Sequence, residues 1–212
     1  MKKIKIDVWS DFVCPFCYLG NKKIESVVEK IGISDNVEIK YHSFLLDPSF
    51  PTETTEPLVD YMTERKNYPR EQVTILHQQL AENGKAYGID FQFSTSLVFN
   101  TVKAHRLIHW AKQYDKNDAL KDAIMYAYFT DGVDLSKEEN LLDVIENCGL
   151  NREEALQVLN SDQFSQEVEN DIYTATQIGI KGVPFFVIND KFAISGSQED
   201  RVFENALKQV LA

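Results

Sequence analysis

The sequence predicts an α/β protein whose open sheet is built from both ends of the chain, with a helical domain inserted between the β-α-β and α-β-β-α halves. Three observations support this class. Residues 4–44 read as strand, helix and strand, residues 163–212 read as helix, strand, strand and helix, and residues 57–162 carry helical patterns without a strong strand. The expected domains are residues 1–56 with 163–212 for the sheet, and 57–162 for the insertion.

The N-terminal half is read from two strand patterns on either side of a helix. Residues 4–9 form a short apolar run that predicts a strand, and residues 10–13 form the loop that leaves it. A helix is expected to begin at Cys14 and to run toward Ile31. Residues 37–44 alternate at period two, which predicts a second strand with one buried face.

The middle of the chain reads as helices that follow a proline-rich boundary. Residues 47–57 contain three prolines among Ser, Thr and Glu, which predicts a loop and gives the best domain boundary. Residues 136–139 have the pattern of a capping box that opens a helix. Another expected helix carries a stripe at helical spacing, formed by Leu97, Thr101, Ala104, Ile108 and Ala111.

The C-terminal half supplies a helix, two strands and a last helix. The first helix is predicted by an amphipathic stripe that precedes Gly179, formed by Phe164, Val168, Ile172, Ala175 and Ile178. Residues 185–188 are an apolar strand pattern, and Asn189 with Asp190 predicts a hairpin turn into residues 191–194. Residues 199–211 predict the closing helix.

The most informative stretch is Cys14-Pro15-Phe16-Cys17, which follows the first strand and its loop and opens the first helix. Pro15 suits the first helical turn, and this places Cys14 at the N-cap. The unpaired N–H groups and the positive dipole end of a helix start favour the thiolate of Cys14. Cys17 lies on the same face and can close a disulfide or resolve a mixed one. This geometry indicates thiol–disulfide exchange.

These residues also have other interpretations. Two small buried cysteines are one alternative, and a zinc site is another, but zinc needs two further ligands and the candidates are Cys148 and four scattered histidines. Cys148, at a helix end, is expected to act as a small apolar residue, and His42 is given no role. Asp11 is either a loop carboxylate in solvent or a like charge that opposes the thiolate, and the solvated interpretation is favoured.

Composition and charge limit the classes of partner. The chain has 22 Lys and Arg against 33 Asp and Glu, a net charge of −11, which argues against nucleic acid or an anionic membrane as partner. No signal-peptide pattern and no apolar run of about 18 residues is found, so a reducing cytoplasm is the expected location. The glycine motifs that bind nucleotides are not found in the sequence. The oligomeric state is not predicted, and the protein is either a monomer or a homodimer.

Several landmarks resemble the thioredoxin fold in its DsbA-type form, which carries an inserted helical domain. They are residues 9–20, residues 100–101 with 105–107, residues 179–186 and residues 195–198. Within that superfamily the chain is closer to the FrnE-like group, which is related to the 2-hydroxychromene-2-carboxylate isomerases and the kappa-class glutathione transferases. The resemblance covers nearly the whole chain.

The resemblance implies roles for residues outside the cysteine pair. Pro184 is expected to be a cis-proline beside the disulfide and to act with Cys14 and Cys17 in catalysis. The backbone of Val183 is expected to pair with an extended substrate segment. Asn100 is similar to a position that contacts glutathione in the kappa-class relatives. The expected substrate-binding residues are Pro15, Phe16, Val183, Asn100 and Gln198.

The expected function is a dithiol–disulfide oxidoreductase, with isomerisation also open, that acts on protein or peptide substrates through Cys14 and Cys17. No metal or cofactor is expected, although glutathione can serve as a co-substrate. A glutathione-dependent transferase or isomerase of small molecules is a second hypothesis, but those families typically use a single Ser or Cys where this chain has a pair. A third hypothesis is a non-enzymatic, redox-sensitive adaptor protein.

Overall fold

A computed structural model describes residues 3–52 and 54–211 of the chain. The chain divides into two compact units, Met1–Leu46 with Glu169–Ala212 and Asp47–Val168. We call them the sheet unit and the helical unit. The domain boundaries expected from the sequence, 1–56 with 163–212 and 57–162, stay a prediction.

The strands form one sheet in each unit. They are Ile4–Ser10 (β1), Val37–Ser43 (β2), Glu56–Pro57 (β3), Leu97–Val98 (β4), Phe185–Ile188 (β5) and Phe192–Ser195 (β6). In the sheet unit the order is β2-β1-β5-β6. β1 runs parallel to β2, with Ile6 opposite Ile39, and antiparallel to β5, with Val8 opposite Phe186. The parallel pair requires a crossover connection, which is the helix that begins at the cysteines.

The helices connect these strands and make up most of the helical unit. They are, in chain order, Pro15–Lys30 (α1), Leu58–Asp60 (α2), Arg70–Lys85 (α3), Val102–Ala111 (α4), Asn117–Phe129 (α5), Glu138–Asn147 (α6), Arg152–Leu159 (α7), Ser165–Gln177 (α8) and Asp200–Leu211 (α9). Within residues 3–52 and 54–211, no helix is both long and apolar enough to cross a membrane.

One face of the four-stranded sheet carries the main core of the sheet unit. Helices α1 and α9 cover this face, and Phe186 of β5 meets Phe203 of α9 edge to face, with ring centroids 5.0 Å apart. The buried members of this core are Ile4, Ile6, Val8, Ile24, Val27, Val28, Ile33, Tyr41, Phe186, Ile188, Ile194, Phe203, Ala206 and Leu207. Fully burying each large side chain contributes about 1.5–3 kcal/mol, so this core is the main stabilising element of the unit.

The opposite face of the sheet packs against α8 and the segment that follows it. Trp9 is buried there together with Ala175 and Ile180, while Phe185 and Val187 are partly buried. Because side chains alternate along a strand, Trp9 points away from the core that holds Val8. The indole Nε1 of Trp9 donates to the carbonyl oxygen of Asp171 at 3.1 Å, which fixes α8 on this face.

The helical unit is held by aromatic packing and by one buried arginine. Phe91 and Phe93 stack with centroids 5.0 Å apart, and Phe129 meets Phe91 edge to face at 5.4 Å. Arg106 of α4 is buried and donates to three backbone carbonyls beyond its own helix, those of Val158, Ser161 and Gln163. Several charge-assisted hydrogen bonds therefore tie α4 to the C-terminal end of α7.

The structure differs from the sequence prediction around Leu97. This residue is in β4 and pairs with Pro57 of β3, so the expected stripe loses its first member and α4 begins only at Val102. Thr101 is the N-cap residue. The segment before α4 is extended because it pairs with a strand 40 residues earlier in sequence, and helical spacing does not register a contact of that range.

The capping box predicted at residues 136–139 is also wrong. Helix α6 begins at Glu138 with Lys137 as its N-cap, and no side-chain hydrogen bond caps it. The hydroxyl of Ser136 donates instead to Oδ1 of Asp134 at 2.5 Å. A nearby carboxylate thus competes for the serine that the motif assigns to the helix.

Candidate active site

The cysteine pair lies where β1 ends and α1 begins. Cys14 is the N-cap of α1, with extended dihedral angles of φ −95° and ψ 108°, and Pro15 opens the helix. The carbonyl of Cys14 accepts hydrogen bonds from the N–H groups of Cys17 at 3.0 Å and Tyr18 at 3.3 Å. The first turn of α1 contains no acidic residue, so no side-chain charge within it opposes a negative sulfur.

The Cys14 sulfur faces the loop before β5. The thiol donates to the carbonyl oxygen of Val183 across 3.6 Å, and the peptide bond between Val183 and Pro184 is cis. Cys14 is only 5% exposed. Two segments far apart in sequence, the start of α1 and the loop before β5, therefore meet at this sulfur.

The Cys17 sulfur is more deeply enclosed. Its side chain is fully buried, and both cysteines are free thiols. Burial raises the pKa of Cys17 well above its ordinary value, and a hydrogen bond with Cys14 raises it further. The backbone N–H of Asp11 donates to the Cys17 sulfur at 3.5 Å and acts in the opposite direction. Cys17 therefore holds its proton more tightly than an ordinary cysteine thiol does.

A glycine allows α1 to approach the proline loop. A Cβ atom at Gly20 would lie 3.0 Å from Cγ of Pro184 and 3.2 Å from Cζ of Phe186. Contacts this short are tighter than ordinary van der Waals packing, so a side chain at this position would push α1 and the proline loop apart. Gly20 thus helps to set the separation between the cysteines and Val183.

Asp11 is not the solvated carboxylate that the sequence analysis favours. It is 1% exposed, and its two oxygens accept hydrogen bonds from backbone N–H groups, Oδ1 from Phe12 at 2.8 Å and Oδ2 from Leu46 at 2.8 Å. These bonds hold the loop before the cysteines against the segment that follows β2. The prediction failed because the Leu46 donor lies 35 residues away in sequence and leaves no local signal.

The expected substrate-binding residues differ in their surroundings. Pro15 is half-buried beside the cysteines, and Phe16 is 38% exposed. Gln198 is exposed, but its amide Nε2 donates to the carbonyl of Ser195 at 2.7 Å. Asn100 belongs to the helical unit, where its amide donates to Phe50 O at 2.7 Å and accepts from Val102 N at 3.1 Å. Their roles in substrate binding stay predictions.

Sequence reasoning missed a charged cluster around His42 in the sheet unit. Its Nε2 lies 2.8 Å from Oδ1 of Asp7, and its Nδ1 lies 2.8 Å from Oδ1 of Asp171. Its ring stacks on Trp9 with centroids 4.6 Å apart. Burial lowers the pKa of His42, but the two carboxylates outweigh it and the net pKa is raised. The available signal was Asp7, a charged residue inside an apolar strand pattern.

The structure also shows the surroundings of Cys148 and bears on the hypothesis of a zinc site. Cys148 follows α6 as its C-cap residue, is half-buried and has its pKa raised by burial. Among the side chains that the structure describes, no group of three or more His, Cys, Asp or Glu is arranged to hold a metal ion.

Known proteins share this architecture. One match is the crystal structure of a probable DsbA oxidoreductase from Streptomyces coelicolor, whose sequence is 31% identical to this chain. The alignment covers 98% of this chain and 90% of that chain, with a TM-score of 0.94. A 2-hydroxychromene-2-carboxylate isomerase structure is 18% identical, with 98% and 96% coverage and a TM-score of 0.77, and shows likeness of fold alone. The protein YwbO of Bacillus subtilis (strain 168), described as uncharacterized, is 28% identical over 207 residues, 96% of each chain.

These similarities confirm the thioredoxin-like α/β fold and the DsbA-type resemblance expected from the sequence. The model of the family described as DSBA-like thioredoxin domain matches residues 5–208, and the chain belongs to this family of thiol–disulfide oxidoreductases.

Proposed function

We propose that this protein exchanges disulfides with protein or peptide substrates through Cys14 and Cys17. The observation that carries the proposal is the position of the Cys14 sulfur, at the start of α1 and 3.6 Å from the carbonyl oxygen of Val183. A substrate sulfur bound to Cys14 would lie beside backbone that can pair with an extended chain. Membership of the DSBA-like family supports the redox chemistry, and the identity of the substrate is our inference.

In the first step the Cys14 thiolate attacks one sulfur of a substrate disulfide. A mixed disulfide forms, the substrate S–S bond breaks, and the second substrate sulfur leaves as a thiolate that takes a proton from water. Cys14 attacks first because Cys17 is fully buried and its raised pKa keeps it protonated. The positive dipole end of α1 stabilises the attacking charge.

In the second step Cys17 resolves the mixed disulfide. It gives its proton to the departing substrate sulfur and attacks the sulfur of Cys14, so that the Cys14–Cys17 bond forms and the substrate is released. The substrate gains two electrons and two protons, and the enzyme loses them. The same steps in reverse oxidise a substrate dithiol. We propose glutathione as a co-substrate that returns the disulfide to the dithiol, two molecules being oxidised for each disulfide.

Substrate contact is assigned to the residues around the sulfur. Pro15 and the exposed ring of Phe16 form an apolar lip, and the backbone of Val183 clamps the substrate from the opposite side. Pro184 packs against Gly20 and in this way fixes the position of the preceding residue, Val183. Contributions of Asn100 and Gln198, a cytoplasmic location, isomerase activity and the choice between monomer and homodimer stay predictions.

Two rival functions make different predictions. A glutathione-dependent transferase or isomerase would keep activity on a small molecule after Cys17→Ser, whereas disulfide reduction would vanish. A redox-sensitive adaptor would bind its partner equally well after Cys14→Ser. The buried second thiol favours exchange, because neither rival requires a resolving sulfur.

The proposal is tested by trapping. Cys17→Ala leaves the mixed disulfide unresolved, so the purified variant is expected to hold proteins or peptides that dithiothreitol releases and mass spectrometry identifies at Cys14. The matched control is the double variant Cys14→Ser with Cys17→Ala, which should hold none. In parallel, the wild type should reduce insulin and both single cysteine variants should not. Equal capture by the single and double variants contradicts the proposal.

A further inference from the structure

Polar groups that have no role in the two exchange steps lie beside the Cys17 sulfur. Ser10 is the last residue of β1 and is 6% exposed, and Asn21 on α1 is fully buried. The amide Nδ2 of Asn21 donates to the hydroxyl oxygen of Ser10 at 3.5 Å. Asn21 is four residues beyond Cys17 and so lies on the same face of the helix.

The donors and acceptors that are present decide the direction of the hydrogen bonds made by Ser10. A serine hydroxyl has one proton to donate and two lone pairs to accept with. Because Asn21 donates to Ser10, the hydroxyl proton of Ser10 is available for another acceptor, and a hydrogen bond from the Ser10 side chain lowers the pKa of Cys17. The N–H of Asp11 reaches the same sulfur at 3.5 Å. Two donors therefore converge on one buried sulfur.

The chemistry of exchange needs such donors. Burial raises the pKa of Cys17, while the Asp11 N–H and the Ser10 hydroxyl lower it. Negative charge must nevertheless develop on this sulfur whenever the Cys14–Cys17 bond forms or breaks. Burying a serine beside the core is unfavourable unless its hydroxyl is bonded, and the Ser10 hydroxyl bonds with the Asn21 amide and with the Cys17 sulfur.

We propose that Ser10 is a catalytic residue that, together with the Asp11 N–H, stabilises negative charge on the Cys17 sulfur, and that Asn21 is the positioning residue that orients Ser10. This inference rests on the proposed function, and it adds a site that stabilises charge on the Cys17 sulfur. When a substrate thiolate attacks Cys14, the Cys14–Cys17 bond breaks and its electron pair moves to Cys17. Ser10 and Asp11 donate to that charge, and a proton from water then converts Cys17 to the thiol.

The test measures how fast dithiothreitol opens the Cys14–Cys17 bond of the oxidised protein, by quenching with N-ethylmaleimide and weighing the products. Ser10→Ala should slow opening about 10-fold or more, because a hydrogen bond to a charged group is lost. Ser10→Thr keeps a hydroxyl and should restore most of the rate. Asn21→Leu preserves volume and should slow opening in the same direction. Ser96→Ala removes a buried hydroxyl from the helical unit and serves as the matched control.

A second measurement separates chemistry from packing. In a background that carries Cys14→Ser and Cys148→Ser, thiolate absorbance titrates Cys17 alone, and Ser10→Ala should raise the pKa of this group further while Ser10→Thr should not. The proposal is overturned if Ser10→Ala opens and titrates like wild type, or if Ser10→Ala and Ser10→Thr slow opening equally. Because dithiothreitol is the only reductant, a wild type that opens normally but never reduces protein disulfides contradicts the proposed function instead.

Discussion

Gly20 and Pro184 are so close that a Cβ atom added to the glycine would lie 3.0 Å from the proline Cγ. Gly20 belongs to the helix that carries both cysteines, and Pro184 belongs to the loop that carries the Val183 carbonyl. The close packing of these two residues therefore helps to set the position of the Val183 carbonyl relative to the Cys14 sulfur.

Gly20→Ala is expected to destabilise the protein by about 1 kcal/mol and to slow disulfide exchange. Alanine favours the helix by about 0.5–1 kcal/mol, but overpacking against Pro184 and Phe186 costs about 1–3 kcal/mol and outweighs this gain. Urea denaturation and insulin reduction measure the two effects. Gly182→Ala, where a Cβ meets nothing within 4 Å, is the stability control. A Gly20→Ala protein more stable than wild type would refute the packing argument.

Asp11→Ala should destabilise the protein by about 2 kcal/mol, because the N–H groups of Phe12 and Leu46 lose the buried carboxylate that accepts their hydrogen bonds. Asp11→Asn keeps one acceptor oxygen and should cost less. Urea denaturation of the two variants gives the comparison. Equal losses for Ala and Asn would show that the carboxylate does not hold the loop through both oxygens.

The cluster of His42, Asp7 and Asp171 should stabilise the protein most at intermediate pH and should lose part of this contribution both at high pH and at low pH. The pKa of His42 is raised above 6.5, so its contribution is complete below that value and is lost as pH rises through the folded pKa. The pKa of Asp7 is lowered below 3.8, because hydrogen bonds from His42 and Lys5 outweigh burial, the largest single effect, which raises it. Its contribution is complete above 3.8 and is lost as pH falls through the folded pKa.

His42→Gln tests this directly. The difference in unfolding free energy between wild type and variant should be largest near pH 5 and should shrink by about pH 8.5. Asp171→Asn removes one of the two carboxylates that raise the pKa of His42. In this variant, the effect of His42→Gln on the unfolding free energy should change less at high pH. A difference that stays constant across this range would contradict the assignment.

Phe16→Ala should weaken the use of peptide disulfides more than the use of small disulfides. The ring of Phe16 is 38% exposed beside Cys14, so an apolar residue of a bound peptide can cover it. Removing the ring takes away this contact area, and we expect kcat/KM for peptide disulfides to fall about 3- to 10-fold. Hydroxyethyl disulfide should show little change. Tyr173→Ala, a more exposed aromatic residue of the sheet unit at 65%, is the matched control. Equal effects of Phe16→Ala on both substrates would remove the apolar lip from the model of substrate binding.

Much of the fold was predictable because its signals are local. The α/β class, the sheet built from both chain ends and the start of α1 at the cysteines follow from hydrophobic period, from Pro15 and from the turn at Asn189 and Asp190. The elements that failed depend on distant partners. Leu97 reads as helical by spacing, yet Pro57 pairs with it as a strand.

The same division applies to the site. By itself the sequence determined that two sulfurs lie one turn apart at a helix start, because a Cys-Pro-x-Cys after a strand fixes that geometry through backbone physics alone. Only the tertiary structure decided which groups surround them. The Leu46 donor to Asp11, the Asp171 carboxylate beside His42 and the Val183 carbonyl opposite Cys14 lie 35, 129 and 169 residues away in sequence, and packing rather than local propensity brings them into contact.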